Sequence, residues 1–231
     1  MRYLCVIPAR GGSKGLPNKN LLNIAGKPLV TWSIAQALAT DFFDEVVVST
    51  DSEKIMQLAV SSGATVPFRR PDKLATDLAA TEPVLLHVIE WYERKEIYFD
   101  AVMLLQPTSP VRYKNSIERA INQFEKTGAD SLVSVSANTS FFWRNENNPK
   151  ANYDPQDRPR RQDIESKDCL FEENGSIYIT KTKLLKETSC RIGGKTSLFK
   201  MHLAESFEID DELDWKIVEL MLMEAINANR L

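Results

Sequence analysis

Cysteine is scarce in this chain, three among 231 residues (Cys5, Cys169 and Cys190), and no two of them form a CxxC pair. So small, odd and scattered a set argues against both a disulfide framework and a zinc site. Long apolar runs are missing too: no stretch approaches the roughly 20 apolar residues of a membrane span, and the run after Met1-Arg2 is too short for a signal peptide. Nor is there an excess of positive charge, since 29 basic residues face 32 acidic ones for a formal charge of −3. General binding to nucleic acid or an anionic membrane would need a basic surface. The expectation is a cytoplasmic protein with neither partner. Histidine is rarer still, and both His87 and His202 fall outside the motif loops described below. They are read as packed or solvated side chains, which leaves no residue standing out as a general base.

Glycine is also sparse, nine in all, yet three of the nine fall at positions 11, 12 and 15. They lie in Pro8-Ala9-Arg10-Gly11-Gly12-Ser13-Lys14-Gly15-Leu16-Pro17-Asn18-Lys19-Asn20, directly after the strand-like run Tyr3-Leu4-Cys5-Val6-Ile7. Glycines let the backbone approach a ligand and turn its N–H groups toward an anion, and Arg10, Lys14 and Lys19 add positive charge. That combination suits phosphate. The spacing is neither GxGxxG nor GxxxxGK followed by Ser or Thr, so neither a dinucleotide site nor a P-loop is supported.

At 43% hydrophobic and 26% charged residues, the chain has ordinary globular composition and length enough for one core with an appendage. Strand-like runs at 45–50, 64–68, 101–105, 131–136, 174–179 and 196–201 alternate with helix-like runs at 29–40, 53–62, 81–95, 115–126 and 180–187. Asp51 and Ser52 are placed to cap the second helix, and Gly63 to end it. A last helix, 211–227, carries Leu213, Ile217, Leu220 and Met221 as its expected core face. Repeated strand–helix units imply an α/β fold, a mostly parallel sheet with helices on both faces and ligands beyond the strands' C-terminal ends. The pattern breaks between Ala137 and Cys169. We therefore expect an α/β domain from 1–136 and 171–231, and an inserted arm over 137–170. The aromatic run Phe141-Phe142-Trp143 within the arm suggests packing against a second chain, hence a homodimer.

Taken together, PARGGSKGLPNKN, the STD at 49–51, RPDKLATD at 70–77, LLQPTSP at 104–110, ENGSIYI at 173–179 and FEIDDELDW at 207–215 resemble the acylneuraminate cytidylyltransferases, over nearly the whole chain. The resemblance implies a Rossmann-like nucleotidyltransferase sheet with a dimerisation insertion. It also implies transfer of CMP from CTP to a nine-carbon α-keto acid sugar, with release of pyrophosphate and use of Mg2+. By the same resemblance Arg10, Ser13, Lys14 and Lys19 form the triphosphate cradle, with Arg10 and Lys14 acting in catalysis. Asn20, Arg70, Ala79 and Thr81 hold cytosine and ribose, Gln106 and Asn174 meet the sugar, and Arg144 reaches into the neighbouring subunit's site. Asp210 binds the metal and acts in catalysis, with Glu208 as second ligand and Asp211 in reserve. On a strand, Glu208 and Asp210 would share a face, as joint ligation requires.

The chain also departs from the sialic acid enzymes it resembles. Glu172 stands where those have an arginine, Arg191-Ile192 replaces an aromatic pair lining the acyl pocket, and the arm around Arg160, Arg161 and Gln162 is longer. A carboxylate in place of a cation disfavours an acidic group and favours a donor such as an amide N–H. The reading shifts toward legionaminic or pseudaminic acid. Alternatives are an enzyme for an eight-carbon keto acid, whose similar members open with PARYxSxRLPGK instead, and a catalytically silent nucleotide-binding protein of the same fold.

Overall fold

The computed structural model describes residues 1–12, 15–164 and 169–231, so two expected cradle residues, Ser13 and Lys14, lie outside the described residues. In chain order the strands are β1 (Tyr3–Pro8), β2 (Asn23–Ile24), β3 (Lys27–Pro28), β4 (Phe43–Ser49), β5 (Ala101–Leu105), β6 (Ser131–Asn138), β7 (Trp143–Arg144), β8 (Lys150–Ala151), β9 (Leu170–Lys181) and β10 (Thr196–Lys200). The helices are α1 (Leu29–Leu38), α2 (Glu53–Ser61), α3 (Thr81–Glu93), α4 (Ser116–Thr127), α5 (Thr182–Thr188) and α6 (Glu212–Asn227).

Six strands form one sheet in the order β10-β6-β9-β5-β1-β4. All of its pairings are parallel except those of β9, which runs antiparallel to both β5 and β6. Alternate residues of β1 face opposite layers, as the pleat requires. Tyr3, Cys5 and Ile7 pack with residues of α1, α2 and α4, whereas Leu4 and Val6 pack with residues of α3 and α5. The sheet is thus covered on both sides, which explains why its strands read as continuous apolar runs. A third cluster gathers Ile24, Leu29 and Trp32 with Ile209, Val218 and Leu222, and seats α6 beside the turn between β2 and β3.

Several sequence expectations need correcting. Residues 64–68 form no strand, and only an isolated bridge joins Thr65 to Val47. On α6 the buried residues are Val218, Leu222 and Ala225; of the expected face Met221 packs against the third cluster, whereas Leu213 and Leu220 are 65% and 66% exposed. A long helix with apolar residues most of the way round admits more than one stripe, and the position of the Trp32 cluster selects this one. Ser52 makes no side-chain cap on α2, and Asp51 instead accepts a hydrogen bond from the Gly11 N–H at 2.9 Å. Glu208 and Asp210 belong to no strand. Asp211, the reserve metal ligand, has its Oδ1 occupied as the N-cap of α6 by the N–H groups of Leu213 and Asp214, at 2.8 and 3.0 Å.

β6 and β9 stay paired as far as Asn138 and Leu170, and the arm leaves from there. Within it β7 and β8 form a small ribbon, Phe141 stacks on Tyr153 at 4.6 Å, and Arg158 lies over Phe141 at 4.5 Å. Phe142, Trp143, Leu170 and Phe171 remain exposed.

Candidate active site

The C-terminal ends of β1 and β5 open onto a cleft of about 270 Å³ whose lining includes Arg10, Lys19, Asn20, Arg70, Thr81 and Gln106. Ala79 lines it as well. Seven of the expected nucleotide- and sugar-contacting residues, Arg10, Lys19, Asn20, Arg70, Ala79, Thr81 and Gln106, therefore converge on one space, from segments far apart in sequence.

Each cation is set by its surroundings. Arg10 pairs across the cleft with Asp77 at 2.8 Å, and its carbonyl accepts from Asn20 Nδ2 at 3.0 Å. That bond leaves Asn20 Oδ1 buried without a protein partner among the described residues, an acceptor on the wall of the cleft. Arg70 is 4% exposed; its Nε donates to Ser49 Oγ at 3.0 Å and its Nη2 to the Ser49 carbonyl. Burial brings its guanidinium down to about 10, against the pull of Asp51, so it remains charged at neutral pH. Lys19 donates to the carbonyl of Ile209. Burial lowers its pKa, and Asp210 and Glu208 oppose that shift.

The segment 208–210 does not itself line the cleft but is bonded to two residues that do, Lys19 and Thr108. Ile209 is fully buried, and its N–H donates to the Thr108 carbonyl at 2.9 Å. Glu208 lies against Gly175, where an added Cβ would come within 1.5 Å of its Oε1, and it accepts from Ser109 Oγ at 3.2 Å. Burial raises the pKa of Glu208 above the usual carboxylate range; the Ser109 hydrogen bond acts against this and Asp210 adds to it. Stability from this group is therefore present at acid pH and is lost as pH rises through its folded value. Asp210 is exposed, its N–H held by Asp214 Oδ2 at 3.0 Å. A Cβ on Gly15 would fall 2.0 Å from the Asp210 carbonyl oxygen, so only glycine lets the basic loop rest on this segment.

Asn174 is 2% exposed and has both ends of its side chain engaged. Its Oδ1 accepts from Ser134 Oγ at 2.6 Å, and its Nδ2 donates to Ser206 Oγ at 3.1 Å. Glu172 is exposed on β9 and accepts from Asn138 Nδ2 at 2.8 Å. Arg191 pairs with Glu82, the neighbour of Thr81, at 2.7 Å and covers the Tyr178 ring at 4.7 Å. Arg144 sits exposed in the arm's ribbon and does not line the cleft. His87 packs edge-on against Phe68, and His202 Nδ1 caps a short turn, so neither enters the cleft. Asp51, Asp77 and Ser109 were missed as supporting groups, although each lies within a motif segment quoted above.

The described residues contain no group of three or more His, Cys, Asp or Glu side chains placed to hold a metal, and no helix long and apolar enough to cross a membrane. Magnesium needs only one or two carboxylates when phosphate oxygens and water complete its shell. Asp210 fits that description, with Glu208 beside it but turned toward Ser109 and Gly175.

Residues 4–224 match the family model described as cytidylyltransferase. A CMP-N,N'-diacetyllegionaminic acid synthase of Legionella pneumophila is 37% identical over 228 residues, covering 96% of this chain and 97% of the relative. A pseudaminic acid cytidylyltransferase of Campylobacter jejuni is 32% identical, covering 96% of each chain. Among solved structures, CMP:2-keto-3-deoxy-manno-octonic acid synthetase complexed with CTP shares the fold, with a TM-score of 0.69 at 19% identity over 97% of this chain and 99% of that one.

Proposed function

This chain belongs to the cytidylyltransferase family and is a CTP-dependent enzyme that transfers CMP to a nine-carbon keto acid sugar, and we propose that its sugar is of the legionaminate or pseudaminate type. The observation that carries the assignment of the site is the convergence of Arg10, Lys19 and Arg70 with the unpartnered Asn20 Oδ1 in one cleft. Arg10 and Lys19 suit the triphosphate, and Arg70 with the buried Asn20 acceptor suits the ribose and cytosine.

In the proposed reaction the anomeric hydroxyl attacks the α-phosphorus of CTP in line. A sugar oxygen–phosphorus bond forms, the bond to the bridging oxygen breaks, the hydroxyl proton passes to solvent, and pyrophosphate leaves. Arg10 and Lys14 would stabilise charge on the transferring and leaving phosphates, while Lys19 would hold the cradle against the 208–210 segment. Magnesium, held by Asp210 with Glu208 as second carboxylate, would supply positive charge at the phosphate oxygens. The sugar would lie beside Gln106, Asn174 and Glu172.

Glu172 supports the sugar preference, as does the similarity to the legionaminic acid synthase. Pyrophosphate release is to be compared for CTP with N-acetylneuraminate, legionaminate, pseudaminate and an eight-carbon keto acid. The expected result is a kcat/KM about tenfold or more higher for a diacylamido sugar than for N-acetylneuraminate, the scale of discrimination that a few pocket contacts provide. A preference for N-acetylneuraminate would sink the proposal, and no release with any sugar would favour a silent homologue.

The same proposal includes a cytoplasmic location, where CTP is available, and a homodimer joined through the arm. Exposed Phe142, Trp143 and Phe171 support the dimer, which would bring Arg144 of one chain toward the other's sugar. Light scattering should give twice the chain mass; a monomer at micromolar concentration would exclude the shared site.

A further inference from the structure

We propose that Arg112 is a positioning residue for the sugar side of the site, its buried guanidinium clamping the loops that carry Gln106 and Asn174 to helix α1. The inference rests on the sugar-contacting roles proposed for those two residues.

Arg112 closes the loop that begins with Gln106 at the end of β5, and it is 2% exposed. Its Nη2 donates to two backbone carbonyls, those of Gln106 and Ser176, each at 2.9 Å. Its Nη1 donates to two side chains of α1, Ser33 Oγ at 3.0 Å and Gln36 Oε1 at 2.9 Å. The other end of Gln36 donates to the Pro110 carbonyl at 2.8 Å, so the loop is tied to α1 at both its middle and its base. Ser176 follows Asn174 and Gly175 in the stretch of β9 where the pairing register with β6 shifts. One planar group thereby fixes the spacing between the two strands' site-bearing segments.

The energetics favour positioning over simple packing. Burial brings the guanidinium down to about 10, with the Glu205 charge acting against that shift, so the group stays cationic at neutral pH. Among the described residues no carboxylate forms an ion pair with it. A buried charge without a counter-ion is poorer for stability than an apolar side chain of similar volume. What methionine or leucine cannot supply is a rigid fork of donors reaching four acceptors at once, and lysine, with a single ammonium, cannot reproduce its geometry. The nucleotide-facing Asn20, Arg70 and Thr81 form none of the Arg112 hydrogen bonds.

The test is a comparison of Arg112→Met, Arg112→Lys and Gln36→Leu with the unaltered enzyme. Arg112→Met should lower kcat/KM for the sugar by about 30-fold, the scale of a misplacement approaching 1 Å, while the Kd for CTP, from calorimetry without sugar, changes by less than about twofold. Arg112→Lys should recover only part of the loss. Gln36→Leu keeps the guanidinium but cuts the tie to α1, so it should show the same split at about threefold. Should Arg112→Met fail to fold, Gln36→Leu decides the matter by that split. Parallel loss of sugar and CTP affinity, or unchanged sugar kinetics in a folded variant, would overturn the clamp. Absence of turnover by the unaltered enzyme on every sugar would tell instead against the proposed function.

Discussion

Arg10→Ala should lower kcat/KM for CTP by about 10³, the upper end of what one preorganised donor to a developing anion contributes. The loss has two sources. One is the missing guanidinium at the phosphates. The other is the ion pair between Arg10 and Asp77 at 2.8 Å, which the substitution also breaks. The two are separable in a double-mutant cycle. Asp77→Asn should cost less on the Arg10→Ala background than in the unaltered enzyme, since the pair is already broken there. Arg10→Lys should keep its charge but lose the fork, and fall between the two. Steady-state kinetics at fixed sugar concentration check all three; full activity in Arg10→Ala would refute the cradle.

Asp210→Asn should reduce kcat by a similar factor, about 10³, and shift the magnesium dependence to higher concentration. Glu208 and Asp210 lie near enough to Lys19 of the expected phosphate cradle to act on its charge. Carboxylates facing phosphates repel them unless a cation lies between. The substitution preserves shape, and the backbone stays pinned by Asp214 and by Gly15 resting on the carbonyl. A metal titration of both proteins is decisive. If Asp210 merely repelled CTP, the variant would instead work better at low magnesium, and the metal assignment would fall.

Sequence reading succeeded where a local rule and the tertiary context agree. Residues 101–105, apolar throughout, form a strand with those same bounds, because a strand buried on both faces has no other use for five such residues. The loop from Pro8 reads as an anion site because glycine and positive charge both carry local meaning, and its Arg10 and Lys19 line the cleft. Residues 64–68 failed because their apolar side chains suit a strand while only one bridge to β4 is available at the sheet's edge. Asp51 failed for a different reason: helix capping is the rule its position obeys, yet its carboxylate is used by Gly11, forty residues away. Arg112 carries no sequence signal at all, since a lone arginine after a proline-rich loop looks like surface until the fold encloses it.

β9 runs against its neighbours, with its buried stretch from Asn174 onward gripped between β5 and β6 while the stretch 170–173 emerges as the root of the arm. The root of the arm and the segment bearing Asn174 are therefore successive stretches of one strand. A displacement at the exposed end would pass toward Asn174 along backbone paired to β6 as far as Glu173, where the register shifts. Exchange of the arm between related chains would consequently retune the catalytic geometry even where every residue of the cleft is kept.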